Sequence, residues 1–267
     1  MGWIGLVLAL GCTDQQIDRA VKSIFYRRPP GQELFRALQQ DDADRRREAV
    51  CALAKSPAVA QRWAVQAFGT IARTDPDPQV RCAAIQALGR SGDPLAVEPL
   101  LMILNSRQHD GAVAYPPTDE VRWDATAVLC QLCGWGLVPD QHRQQAKQTL
   151  MRLLSQDPNR HVRLEAARGL RYFQEDPKVL QSLIEALKDR DFGVCYEAEA
   201  SLGSLTGRRF NYDGQAWQGW LERTDDPFSA AGQAPASAQS QRLSWWKRSV
   251  QAVRDVILAW QGQAKRQ

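Results

Sequence analysis

A ten-residue pattern returns five times along this chain, and a segment that repeats itself at intervals of 32 to 41 residues folds as a stack of like units. The clearest copy is Val80-Arg81-Cys82-Ala83-Ala84-Ile85-Gln86-Ala87-Leu88-Gly89, and further copies begin at Arg45, Val121, Val162 and Val194. Offsets 0, 4, 7 and 8 are apolar or small in every copy except for Arg45 itself, which is the spacing of one helix face. A helix with a single apolar face must bury it elsewhere, so the pattern predicts a solenoid in which each unit shelters its neighbours. The expected fold class is all-α, a solenoid of about five helix pairs followed by a separate C-terminal amphipathic helix.

The helix starts agree with the stripes. Four residues before each position equivalent to Arg81 stand Asp42, Asp77, Thr118, Asn159 and Asp191, all preferred N-caps whose side chains accept from the first backbone N–H groups. Pro78 follows Asp77 at the first helical position, where its missing N–H costs nothing. A second apolar helix is expected after each first one: Gln61 to Arg73, Ala96 to Leu104, Gln141 to Leu154, Lys178 to Leu187, and a short one from Gln215 to Leu221.

The run from Asp77 to Pro94, with Val80, Arg81, Ala84, Ala87, Leu88, Gly89 and Asp93 in place, resembles a HEAT repeat of the bacterial, phycobilisome-lyase-like type, and the likeness extends from about Asp41 to Glu222. That resemblance implies stacked antiparallel helix pairs, a protein-binding scaffold, and an Asp–Arg hydrogen-bonded ladder between repeats. On this sequence the ladder arginines are Arg46, Arg81, Arg122 and Arg163; Cys195 holds the last slot and Thr118 replaces Asp in the third copy. A row of arginines also has the chemistry of a phosphate or acidic-peptide site. The stretch from Leu205 to Leu221 resembles the closing segment of exported bacterial HEAT proteins. Phe210, Tyr212, Trp217 and Trp220 are expected to seal the last unit, with Asp213 capping its short helix, or else to form an exposed aromatic platform.

The first eleven residues are uncharged and mostly apolar, too short to span a bilayer but long enough for a signal-peptide core. Ala9-Leu10-Gly11-Cys12 resembles a lipobox, which implies cleavage before Cys12, its lipidation, and an exported lipoprotein on the periplasmic side of the cell envelope. No Lys or Arg precedes the apolar run, so a buried first helix and a cytoplasmic protein is the alternative. Ile17, Ala20, Val21, Ile24 and Phe25 predict an amphipathic helix over Asp14 to Phe25, and Leu34, Phe35 and Leu38 a second short one. The organisation expected is thus a signal-like segment over 1–11, capping helices over 12–40, a solenoid over 41–223, a flexible linker over 224–241 and a basic helix and tail over 242–267.

Charge divides along the same lines. Arg242 to Gln267 carry six basic residues and one acidic, +5 of the net +4, which leaves the body at −1 and excludes a nucleic-acid-wrapping surface. In the tail, Leu243, Trp246, Val250, Val253, Ile257 and Trp260 form an apolar seam, while Trp245, Lys247, Arg248 and Arg254 suit an anionic membrane surface or a partner helix. Such a seam can also pack back on the solenoid.

Nothing in the sequence matches a catalytic motif. The three histidines, His109, His142 and His161, stand apart from any constellation, and Glu197 and Glu199 face different sides of their helix. Cys51, Cys82, Cys130, Cys133 and Cys195 read as buried thiols; Cys130-Gln-Leu-Cys133 has half of a zinc spacing without a second pair. No metal and no cofactor is expected, and the protein reads as a non-enzyme, with a HEAT-type accessory or lyase-like subunit of an enzyme complex as the alternative. The expected partner is an unidentified protein, and the chain a monomer outside that complex. Contacts are expected on the polar faces of the second helices, at Gln144, Lys147, Gln148, Arg152 and Gln181, and in two insertions, Asn105 to Pro117 with His109 and Tyr115, and Gly134 to Pro139.

Overall fold

A computed structural model describes residues 29–106, 113–174 and 176–233. Cys12, the helix expected over Asp14 to Phe25, His109, and the tail residues Leu243, Trp245, Trp246, Lys247, Arg248, Val250, Val253, Arg254, Ile257 and Trp260 lie outside the described residues. Those described form eleven α-helices and no strand: α1 (Pro30–Leu38), α2 (Ala43–Ala54), α3 (Arg62–Thr74), α4 (Pro78–Ser91), α5 (Val97–Asn105), α6 (Asp119–Gly134), α7 (Asp140–Gln156), α8 (Arg160–Leu170), α9 (Pro177–Ala186), α10 (Phe192–Thr206) and α11 (Gly214–Leu221).

The helices form two rows. The first helices of the repeats, α2, α4, α6, α8 and α10, pack each on the next, and so do the second helices α3, α5, α7, α9 and α11. Each second helix from α3 to α9 also packs on the first helix of the following repeat, which makes the core one continuous layer. The stripe explains why: Val80, Ala84 and Leu88, and likewise Val121, Ala125 and Leu129, Val162, Ala166 and Leu170, and Val194, Ala198 and Leu202, are all fully buried. In the first copy Leu53 is buried, Ala49 half-buried and Arg45 exposed, as its position at the edge of the stack allows.

Small residues set how closely the rows approach. A Cβ on Gly169 of α8 would lie 2.3 Å from Cys130 Sγ of α6, so this crossing tolerates glycine alone without displacement. Helix ends follow local rules: α4 and α10 stop at Gly92 and Gly207, whose φ of 60° and 66° are left-handed. One expectation at the N-terminal edge changes. The Pro29-Pro30 pair starts α1, with Pro30 at its first position, and α1 buries Leu34 and Ala37 while Phe35 and Leu38 stay exposed.

Candidate functional site

Four of the five expected caps are made. Asp42, Asp77, Asn159 and Asp191 each accept from a backbone N–H two residues on, Asp42 and Asp77 from a second one as well. Thr118 does not: it precedes α6 in extended geometry, but its side chain makes no cap hydrogen bond and its Oγ1 is buried without a partner among the described residues.

The ladder exists, with partners other than the caps. Arg46 donates from Nε and Nη2 to both oxygens of Asp75, at 2.9 and 3.0 Å. Arg122 grips Asp157 in the same way at 2.8 and 3.2 Å, and Arg163 grips Asp189 at 2.7 and 2.9 Å. Each aspartate stands two residues before the next repeat's cap and also accepts that cap's backbone N–H: Asp77 to Asp75, Asn159 to Asp157, Asp191 to Asp189. One carboxylate therefore ties two first helices together and shapes the turn between them, a two-pronged geometry that suits a guanidinium. The hydrogen bonds to Asp75, Asp157 and Asp189 raise the pKa of Arg46, Arg122 and Arg163. Burial pushes the Asp189 carboxyl up, but the hydrogen bonds from Arg163 and from the Asp191 N–H outweigh it and hold the group below its ordinary value.

The ladder breaks at the entry to the third repeat, the copy in which Thr118 replaces Asp. Arg81 is 3% exposed, yet the residue two before Thr118 is Pro116, which offers no carboxylate. Arg81 Nη1 donates instead to the carbonyl oxygens of Tyr115 and Pro116, at 3.2 and 3.3 Å, and its pKa is lowered by burial. Arg122, in the same repeat as Thr118, is fully paired. Asp75, Asp157 and Asp189 were missed as functional positions, although an aspartate two places before the cap recurs at these three starts and at neither of the others.

The terminal seal is built around a residue that sequence reasoning passed over. Glu199 of α10 is buried, and its carboxylate accepts the N–H groups of Phe210, Asn211 and Tyr212 at 3.1, 3.0 and 3.3 Å and the Trp217 indole N–H at 2.7 Å. Phe210, Trp217 and Trp220 pack around it, with Phe210 and Trp217 edge to face at 4.8 Å, and Asp213 caps α11. Tyr212 stands outside that cluster, half-exposed against Phe192. The signal for Glu199 was its register: offset 5 holds Val50, Ile85, Thr126 and Ala167 in the other copies, all fully buried.

On the second-helix face Gln144, Gln148 and Arg152 are exposed and Gln181 is half-buried. Lys147 is not on that face; it is buried in a 2.7 Å ion pair with Asp176, whose carboxyl this bond holds low. Arg152 donates to the Leu104 carbonyl at 2.7 Å, fastening α7 to the end of α5. Recesses open between neighbouring second helices: one of about 450 Å³ between α7 and α9, lined by Met151, Arg152, Ser155, Ser182 and Lys188, and one of about 260 Å³ between α3 and α5, lined by Gln66, Arg73, Glu98 and Met102. Trp135 and Tyr115 of the two insertions are exposed. Burial raises the pKa of Cys82 and Cys133 to about 12 and that of Cys130 well above its ordinary value. Among the described residues no three metal-ligating side chains gather, and no helix is long and apolar enough to cross a membrane.

Paired helices stacked in two rows, stitched by an arginine ladder and closed by an aromatic unit, define an α-solenoid. The family model for HEAT repeats matches residues 31–115 and 113–203, and the chain belongs to that family. Among solved structures it is similar to an engineered protein at 18% identity, with 74% of this chain and 91% of that one covered and a TM-score of 0.50. A second engineered protein matches at 21% identity, 75% and 93% coverage and a TM-score of 0.48. The complex of CpcE and CpcF of phycocyanin lyase from Nostoc sp. PCC7120 matches at 20% identity, 67% and 78% coverage and a TM-score of 0.37. The comparison with curated proteins returned no match.

Proposed function

We propose that this protein is a non-catalytic, protein-binding scaffold, lipid-anchored at the cell envelope through Cys12, with the second-helix face as its contact surface. The observation that carries the binding role is the pair of open recesses between successive second helices, one in each half of the stack. Two such recesses on one rigid stack, mixed in polarity and the larger lined by the exposed Arg152, can seat side chains of an extended or helical partner. The buried ionic groups support the same reading: the pairs described link one helix to another and leave no acid and base converging on a shared cleft. The envelope placement rests on the lipobox-like Ala9 to Cys12, and the basic amphipathic tail supplies a second attachment to an anionic surface.

Two experiments divide the reading into its parts. Intact-mass analysis of the native protein is expected to show loss of residues 1–11 and a lipid adduct on Cys12; retention of Met1 eliminates the anchor. Cross-linking mass spectrometry in native membranes is expected to place partner adducts along α3, α5, α7 and α9, and Ser182→Trp, which fills the larger recess, to remove those at α7 and α9. Adducts confined to the first helices would overturn the choice of face.

A further inference from the structure

Of the four joints entered by a ladder arginine, three receive a carboxylate and one does not. At the joint between the second and third repeats the matching position is Pro116, yet Arg81 is buried as deeply as Arg46 and Arg163. Its setting also differs. Arg46 and Arg163 turn Nη1 back to carbonyls of their own repeat's entry, Gln40 and Asp41 in one case and Asp157 and Pro158 in the other. Arg81 reaches forward, to the Tyr115 and Pro116 carbonyls. Its Nε is buried with no hydrogen-bond partner among the described residues, and so is Thr118 Oγ1 at the head of the sixteen-residue α6.

Nearby carboxylates are committed elsewhere. Asp75 is held by Arg46, Asp77 caps α4, and Asp119 is held by Arg122 and Asn159. A buried guanidinium edge, an unpartnered hydroxyl and an uncapped helix start all favour an anion. The turn above them is accessible, since Tyr115 is 42% exposed and Pro116 is exposed as well. The other three joints show which anion fits. In each, a planar carboxylate lies across Nε and Nη2 and accepts the cap residue's N–H with the same oxygen that meets Nη2.

We propose that the joint between the second and third repeats is a recognition site for a carboxylate supplied by another protein, an Asp or Glu side chain of an acidic segment that docks at Tyr115–Thr118 and completes the ladder through Arg81 and Thr118. The site deepens the protein-binding reading and rests on it, but not on the membrane anchor. It places one specific contact on the inter-repeat turn, at the end of the insertion between α5 and α6.

The test is a titration of the full-length chain followed by the arginine Nε–Hε signals in nitrogen-15 NMR, with the Arg81 signal assigned by its loss in Arg81→Lys. The probe is N-acetyl-aspartate N-methylamide, with the asparagine analogue and inorganic phosphate in separate arms. The aspartyl probe is expected to shift the Arg81 signal saturably in the millimolar range, and the asparaginyl probe to leave it in place. Pro116→Asp, on an exposed turn, supplies the carboxylate from within the chain; it is expected to weaken the aspartyl response at least tenfold and to raise the thermal midpoint. No saturable shift, an equal response in Pro116→Asp, or phosphate binding tenfold tighter than the aspartyl probe would each overturn the assignment. Loss of this response with cross-links on the second helices intact would sink the joint alone and leave the scaffold reading standing.

Discussion

Replacing Glu199 with alanine tests whether the last repeat is closed by one buried carboxylate. Four donors lose their acceptor together: the N–H groups of Phe210, Asn211 and Tyr212 and the indole of the fully buried Trp217. A buried donor without a partner costs about 1–3 kcal/mol, and water entering at an end unit recovers part of that, so the lower end of the range applies and the change costs about 4 kcal/mol. Asn211 and Tyr212 hold φ of 52° and 66°, left-handed values that side-chain-bearing residues adopt only when held there, so the same turn relaxes once its acceptor is gone. Glu199→Gln keeps one carbonyl oxygen and is expected to cost about half as much. In a solenoid the loss stays near its origin, because each repeat is stabilised by its neighbours. Hydrogen exchange with peptide-level resolution is expected to rise about a thousandfold across α11 and the 207–213 turn, the equivalent of 4 kcal/mol, with α4 and α5 unchanged. An increase under tenfold, or one spread evenly over all repeats, would refute both the keystone role and the local cooperativity.

Three further outcomes follow from the ladder and the thiols. Arg46→Met strands the buried Asp75 and is expected to cost about 3 kcal/mol in urea unfolding, whereas Arg81→Met strands no carboxylate and costs under about 1 kcal/mol; equal losses would show that the Asp75 pairing has no special weight. Asp189 and Asp176 have carboxyls held below their ordinary values, so their contribution is complete above the unfolded range near pH 4 and disappears as pH falls through the depressed values. The thermal midpoint is accordingly expected to stay level from pH 7 to about pH 5 and to drop below about pH 4; a decline already under way by pH 6 would contradict the assignment. Iodoacetamide at pH 8 is expected to spare Cys82, Cys130 and Cys133 in the native protein, because burial keeps them as thiols, and to reach the half-exposed Cys51 first; rapid loss of the first three would place them nearer the surface than the structure does.

Most of the helix boundaries were legible because their causes are local. Asp77 and Pro78 start α4, Val80, Ala84 and Leu88 mark its buried face, and Gly92 ends it, all within one turn or two of the residues they govern. Site residues obey a different rule. Thr118 is a good cap by type, yet the turn before α6 places its hydroxyl where no N–H meets it. Lys147 reads as a polar-face residue, but the approach of α9 brings Asp176 to it and shuts out solvent.

The sequence alone therefore determined the number of repeats, the identity of both helix rows, the caps at four starts, and the position of the closing aromatic unit, since period and capping are properties of neighbouring residues. Only the tertiary structure decided that Arg46, Arg122 and Arg163 pair with Asp75, Asp157 and Asp189, that Arg81 goes without a carboxylate, and that Glu199 is the acceptor at the seal. Those pairings join residues 11 to 35 positions apart, and which two groups meet depends on how one element is set down on the next.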